Sequence, residues 1–487
     1  MAAIYPPGPE PITIKSYFIS RVFIVYVYLI KINVLSVYIL FFRIISAKLH
    51  IKVDLLKYVF DYFLSINNIN YFNFETIMKQ LLIIGYVWVE PSSSAAGSRM
   101  LQLIELFLKN NYKITFASPA QKSEKAIHLT ELGVDERSIE LNNTSFDDFI
   151  SDLNPSIVLF DRFMMEEQFG WRVAENCPDA IRILDTEDLH FLRKTRHQQL
   201  KKEEIFSTDA LLKSTDAKRE IASILRCDLS LIISTYEIKL LKDVFKIDEN
   251  LLYHLPFLLD KIDKKVVNGW KPFEEREHFV FIGNFFHAPN VDAVLQLKNY
   301  IWELIRKELP KAEIHIYGAY ATQQINQLHN KKEGFIVKGF TDDAMEVVRN
   351  AKVVLAPIRF GAGIKGKLTE AMLCGTPSVT TLIGAEGMHG GFDWNGFIAD
   401  DFEKFSSRAV ELYSDEKKWK ELQENGVEII NTIYDKNNIE QPFVDRVNQL
   451  QQNVETHRTH NFLGSLLQHQ TLQATKYMSK WIESKNK

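Results

Sequence analysis

The chain lacks a basic excess, and that narrows its partners. Its 487 residues carry 58 Lys and Arg against 62 Asp and Glu, a formal net charge of −4. A general nucleic-acid binder shows a basic surplus and a recognition motif, and this sequence has neither. Cysteine is scarce. Cys177, Cys227 and Cys374 show no CxxC and no Cys/His ligand spacing. Nothing in this pattern suggests a disulfide framework or a structural zinc site, and reduced thiols in apolar surroundings are expected. No repeat of fixed period is present. A tidy secretory signal is missing too, since no small-residue cleavage pattern follows a short apolar core.

What is present begins with residues 22–42, VFIVYVYLIKINVLSVYILFF, interrupted by Lys31, Asn33 and Ser36. About 20 mainly apolar residues can span a bilayer. Arg43, Lys48, Lys52 and Lys57 follow it against Lys15 and Arg21 before it. That bias places the bulk of the chain in the cytosol, either free or beside a membrane. Three readings stand: a membrane anchor, a monotopic or core helix, and a non-native extension rich in Ile, Tyr, Phe, Asn, Lys and Leu. Lys31 near the middle counts against the first.

From residue 80 a different pattern starts. QLLIIGYVWV reads as a strand buried on both faces, RMLQLIELFLKN as a helix and YKITFAS as the next strand. Further strands are expected at SIVLFD, AIRILD, LSLIIST and LLYHLPF, with an unbroken charged helical stretch over 188–222. A polar linker over 261–277 separates a second series: HFVFIG, AEIHIYG, GFIVKG, KVVLAPI and SVTT, alternating with helices. Alternation of this kind implies parallel sheets covered on both faces. The expected fold class is α/β: two Rossmann-like doubly wound domains facing a cleft, with an N-terminal hydrophobic helical extension. The divisions are 1–79, 80–260, 275–435 and a helical tail at 436–487.

Candidate site residues cluster after strands. In residues 352–388 a buried strand, the glycine loop FGAGIKG and a helix start follow one another. Backbone N–H groups and a helix dipole then meet where an anion can dock. Gly361, Gly363 and Gly366 permit close backbone approach. Lys365 is either a phosphate cation or a solvated lysine. Lys367 is expected to pair with Glu370 at i,i+3. Glu370 can instead take a vicinal diol through its two oxygens. Gly283 and Asn284, after the first strand of the second domain, line the cleft. Gly97 and Arg99 face it from the first domain. Asp185, Asp188 and His190 follow another first-domain strand, His190 being either a sugar or acceptor contact or a solvated loop residue. Asp161 and Arg162 are similarly placed.

The pieces FIGNFFHAPNVDAV, IHIYG, VKGFTDD, AKVVLAPIRFGAGIKGKLTEAMLCGTPSV and GAEG come in that order over residues 278–400. Together they resemble the donor-binding half of glycosyltransferases of the two-Rossmann GT-B type, family 4 branch (glycosyl transferases group 1). AAGSRMLQLIELF and ILDTEDLHFLR resemble the acceptor half more loosely. The resemblance implies a nucleotide-diphosphate-sugar donor, no metal, no separate cofactor and retention of configuration. It places the ribose on Glu370 and the diphosphate or sugar on Lys365 with the amides around Gly363 and Ile364. The base borders Val337, Gly339 and Phe340, and His190 matches a histidine near the donor sugar. The catalytic set is thus His190, Lys365 and Glu370.

Two departures accompany it. Family members often carry two glutamates seven residues apart, and the first position here is Ala362. Many place an Arg and a Lys after the first strand of this domain, where this chain reads NFFHAPN. More of the phosphate charge then falls on Lys365. No facing carboxylate pair of the glycosidase kind can be identified. The expected partners are a nucleotide-sugar, a glycan, lipid or protein acceptor and, through residues 22–42, a membrane, with no nucleic acid. A nucleotide-sugar epimerase and a silent nucleotide-sugar-binding subunit are the alternatives.

Overall fold

The computed structural model describes residues 79–469 together with Tyr477, Trp481 and Lys485. The candidate span 22–42 lies outside the described residues, as does the rest of 1–78. Among the described residues no helix is long and apolar enough to cross a membrane.

Apolar runs become strands buried on both faces. In β1 (Lys79–Ile84), Leu81 and Ile83 enter one core while Leu82 and Ile84 enter the other. β1 ends earlier than its apolar run, just before Gly85, where a Cβ would lie 2.3 Å from the Phe116 ring and only glycine fits. Beside it come β2 (Tyr112–Ser118), β3 (Asp135–Ser138), β4 (Ile157–Asp161), β5 (Ile181–Asp185), β6 (Leu229–Ile232) and β7 (Leu252–His254). All pair in parallel, in the order β3-β2-β1-β4-β5-β6-β7. The second sheet holds β8 (Glu277–Ile282), β9 (Ile314–Tyr317), β10 (Phe335–Gly339), β11 (Ala351–Ala356), β12 (Ser378–Thr380) and β13 (Gly396–Ile398). Its order, β10-β9-β8-β11-β12-β13, repeats the doubly wound pattern. In such sheets ligands bind beyond the strand C-terminal ends, where the order reverses.

The helices that matter for the site leave those ends: α1 (Ala95–Lys109) after β1, α2 (His190–Lys201) after β5, α3 (Thr235–Asp243) after β6, α4 (Ala288–Gln296) after β8 and α5 (Gly366–Leu373) after β11. The 188–222 stretch is not one helix. Ser207 and Ser214 each cap a new one, accepting the N–H of Ala210 and of Ala217. Serine hydroxyls compete for backbone N–H groups in this way and start helices rather than continue them.

The 261–277 linker is more ordered than its polarity suggests. Arg276 is buried and donates to Thr376 Oγ1 at 2.6 Å and to the Cys374 carbonyl at 3.0 Å. The chain passes between the domains a second time near residue 435. The two passages run side by side: Leu259 N–H donates to the Tyr434 carbonyl and Lys436 N–H to the Leu259 carbonyl, both at 2.9 Å. Helix α6 (Lys436–His460) then returns to the first sheet, where Phe443, Val447 and Leu450 join the core of Leu103 and Phe107. All three cysteines are free and buried.

Candidate active site

The site is built on the β11–α5 turn. Gly363 has φ +62°, and a Cβ there would lie 2.9 Å from the Asp188 Cβ. Only glycine meets both conditions. A Cβ on Gly366 would lie 2.6 Å from that of Ala95, so α5 begins in contact with α1 of the other domain. Gly361 turns its carbonyl to Arg196 at 2.8 Å, and Ile364 is buried. Lys365 stands at the helix N-cap and donates to the Gly363 carbonyl at 2.9 Å. Burial lowers its amine to about 8, with Glu386 the leading opposing charge.

Lys367 does not pair with Glu370. Its amine donates to Asn290 Oδ1 at 2.6 Å and lies 4.1 Å from the centre of the Phe281 ring. Gly283 makes room for it, since a Cβ there would be 2.8 Å from Nζ. Burial lowers this amine to about 7, against the pull of Glu370. Among the described residues neither lysine has a carboxylate within ion-pair distance. The Glu370 carboxyl is raised by burial and lowered by Lys367. Two half-buried amines are thus carried on the first residues of α5, and cations at a helix N-terminus are the arrangement that takes an anion. Lys367 thus supplies a cation beside Gly283, just after β8, where the sequence NFFHAPN has no Arg or Lys of its own.

Asn284 reaches the first domain, its Nδ2 donating to the Ser93 carbonyl at 3.3 Å. Val337 N–H donates to His329 Nδ1, Gly339 has φ +80°, and the Lys125 amine of the first domain lies 3.2 Å from the centre of the Phe340 ring.

On the first-domain side the expectations divide. Asp188 does meet the glycine loop, at Gly363, and His190 stands beside Asp188. Arg193 holds Asp188 with bonds of 2.7 and 3.1 Å, and His190 Nε2 lies 3.4 Å from Asp188. Burial lowers the His190 imidazole to about 3, so it is neutral at physiological pH. Glu187 (φ +60°) and Arg162 (φ +69°) hold left-handed backbone after β5 and β4; such strain gathers at functional sites.

Arg99 departs from expectation. It is 1% exposed, and donates to Asp185 at 2.9 Å and to the Leu255 carbonyl at 2.7 Å. It anchors the first domain and presents nothing to the crevice. Gly97 is likewise a packing position, since a Cβ would lie 2.2 Å from the Glu90 carbonyl oxygen.

The sequence reading missed Arg196, which donates to both oxygens of Glu386 at 2.8 and 2.7 Å, and Glu237, which accepts the Gly363 N–H. Both sit in helices without a local signal. Among the described residues, one trio has metal-ligand spacing: His278, Glu313 and His315. It lies at the N-terminal ends of β8 and β9, the far side of the sheet from this crevice.

Residues 276–415 match the family described as glycosyl transferases group 1. No curated protein matches the chain. Solved structures with a similar fold include sucrose-phosphate synthase from Thermosynechococcus elongatus, at 14% identity and TM-score 0.56, covering 76% of this chain and 99% of that one. HepE from Anabaena, solved with UDP-glucose, shows 12% identity and TM-score 0.56, covering 76% and 100%. A glycosyltransferase from Rickettsia africae shows 11% identity and TM-score 0.56, covering 77% and 100%. The chain therefore carries a glycosyl transferases group 1 domain within a two-domain GT-B frame, and it is a glycosyltransferase.

Proposed function

We propose that the chain moves a sugar from a nucleotide-diphosphate-sugar to a hydroxyl of a glycan, lipid or protein acceptor, with retention and without a metal. The observation that carries this is the pair of amines, Lys365 and Lys367, both borne at the start of α5 and neither in an ion pair with a carboxylate among the described residues. Cleaving the bond between sugar and diphosphate leaves negative charge on the departing phosphate. Those amines and the first N–H groups of α5 are placed to stabilise it. Glu370, one turn further on, takes the ribose diol. His190, neutral and held beside Asp188, hydrogen-bonds near the sugar. The solved complex of HepE with UDP-glucose supports a uridine donor as the first to test.

The test is a donor screen on the full chain, with thermal shift and free-nucleotide release for UDP-, GDP- and ADP-sugars. A stabilising nucleotide-sugar with slow nucleotide release supports transfer and names the donor. Binding without release across broad acceptor mixtures overturns transfer in favour of an epimerase or a silent subunit. No binding overturns the site.

A further inference from the structure

Glu237 has no part in the chemistry above, yet it touches both walls. It lies in the first turn of α3 and is fully buried. One oxygen, Oε1, accepts the Leu189 N–H and the Gly363 N–H, each at 2.9 Å. Leu189 precedes His190, and Gly363 comes two residues before Lys365. A single oxygen therefore ties the 188–190 turn to the lysine loop. The same turn of α3 receives the other glycine loop: a Cβ on Gly387 would lie 2.2 Å from Ser234 Oγ. Arg196, 5.2 Å from the Tyr236 ring, completes the contact through Glu386.

The second oxygen, Oε2, is buried and has no hydrogen-bond partner among the described residues. Bridging two N–H groups needs only a carbonyl oxygen, which glutamine supplies without burying a charge. A buried carboxylate costs more than an amide, so the charge itself calls for a reason. Burial raises the Glu237 carboxyl to about 7, Asp188 adding to the rise and the Leu189 and Gly363 N–H groups and Lys365 opposing it, so the carboxylate form dominates above neutrality. Lys365 faces Glu386, Arg196, Glu237 and Asp188.

We infer that Glu237 is a positioning residue for the donor step: Oε1 sets the lysine loop against residues 188–190, and its carboxylate and the Lys365 amine hold the same Gly363, one at its N–H and the other at its carbonyl, so the charge of the one favours the charge of the other. The functional part of this inference rests on the proposed donor site.

Glu237→Ala and Glu237→Gln in the full chain separate the two roles. Hydrogen exchange over 361–365 and 188–190 reads the bridge; pH-dependent acetylation of Lys365, followed by mass spectrometry, reads the charge. Glu237→Ala speeds exchange in both segments at least about tenfold, and Glu237→Gln restores wild-type rates. In Glu237→Gln the Lys365 titration moves to lower pH by about half a unit or more, because removing an anion favours the neutral amine. The alkaline limb of kcat/KM for the donor moves with it. Should Glu237→Ala fail to fold, Glu237→Asp, which withdraws the oxygen by one methylene, replaces it with the same expectation for exchange. Wild-type exchange in that variant overturns the bridge. An unmoved Lys365 titration in Glu237→Gln overturns the charge role. If the wild type releases no nucleotide from any donor, the proposed function fails, while exchange and acetylation still decide the role of Glu237.

Discussion

On the first-domain wall, Arg99 takes Asp185, Arg193 takes Asp188 and Arg196 reaches across to Glu386 of the second domain; on the second-domain wall, Lys365 and Lys367 have no such partner among the described residues. The guanidiniums are forks locked into carboxylates and carbonyls, always charged and spent on structure. The lysines are point charges at a helix start, with their amines pushed down to about 8 and about 7 by burial. Charge that is already paired holds a wall in place, whereas charge left unpaired is available to a ligand.

The largest effect expected from this contrast is on stability. Arg99→Ala leaves Asp185 buried and unpaired, which costs about 3–5 kcal/mol. Urea unfolding measures it, and a loss under about 1 kcal/mol breaks the structural assignment of Arg99. Pairing it with Asp185→Leu recovers most of the loss, since an uncompensated charge is the expensive state.

Lys367→Ala makes the opposite case. It leaves the unfolding midpoint unchanged or higher, because a half-buried amine without a carboxylate is no asset to the fold. Donor kcat/KM falls by about 30- to 100-fold, the loss of a charge-assisted bond of about 2–3 kcal/mol. The pH dependence follows from the sign of the shift. Burial lowers the amine to about 7, so near neutrality a large fraction is unprotonated. An anion favours the protonated form, so binding takes up a proton and affinity falls as pH rises through 7 to 9. Calorimetry of a nucleoside diphosphate in buffers of different ionisation enthalpy reads the uptake directly. Uptake that persists unchanged in Lys367→Ala moves the proton to another group.

These contrasts also mark what the sequence could reveal. The strands were legible because runs such as LLII and VVLA are apolar at every position, the pattern of a sheet covered on both faces. The β11–α5 turn was legible because its glycines, lysines and helix start are contiguous. β3 and β13 escaped notice, being short, and β3 is largely exposed. The fate of Arg99 was hidden because its partner lies 86 residues away; spacing on a helix gives a face, not what covers it. Lys367 and Glu370 have the i,i+3 spacing of a surface pair. The room left by Gly283 and the oxygen of Asn290, 77 residues distant, draw the amine elsewhere. Glu237 and Arg196 meet their partners across 126 and 190 residues, beyond the reach of any local pattern.

The smallest effect tests the rim, where a first-domain cation meets a second-domain ring. Phe340 is 38% exposed, and the Lys125 amine lies over its face. A cation over a partly exposed ring contributes about 0.5–1 kcal/mol. Lys125→Ala therefore raises the donor KM by less than about fivefold, with kcat unchanged, if Phe340 borders the base and Lys125 only steadies the ring. Phe340→Ala removes the ring itself and changes the preference among uridine, guanosine and adenosine donors more than Lys125→Ala does. A larger loss from Lys125→Ala than from Lys367→Ala would invert the contrast between the walls, making a first-domain cation the main holder of the donor.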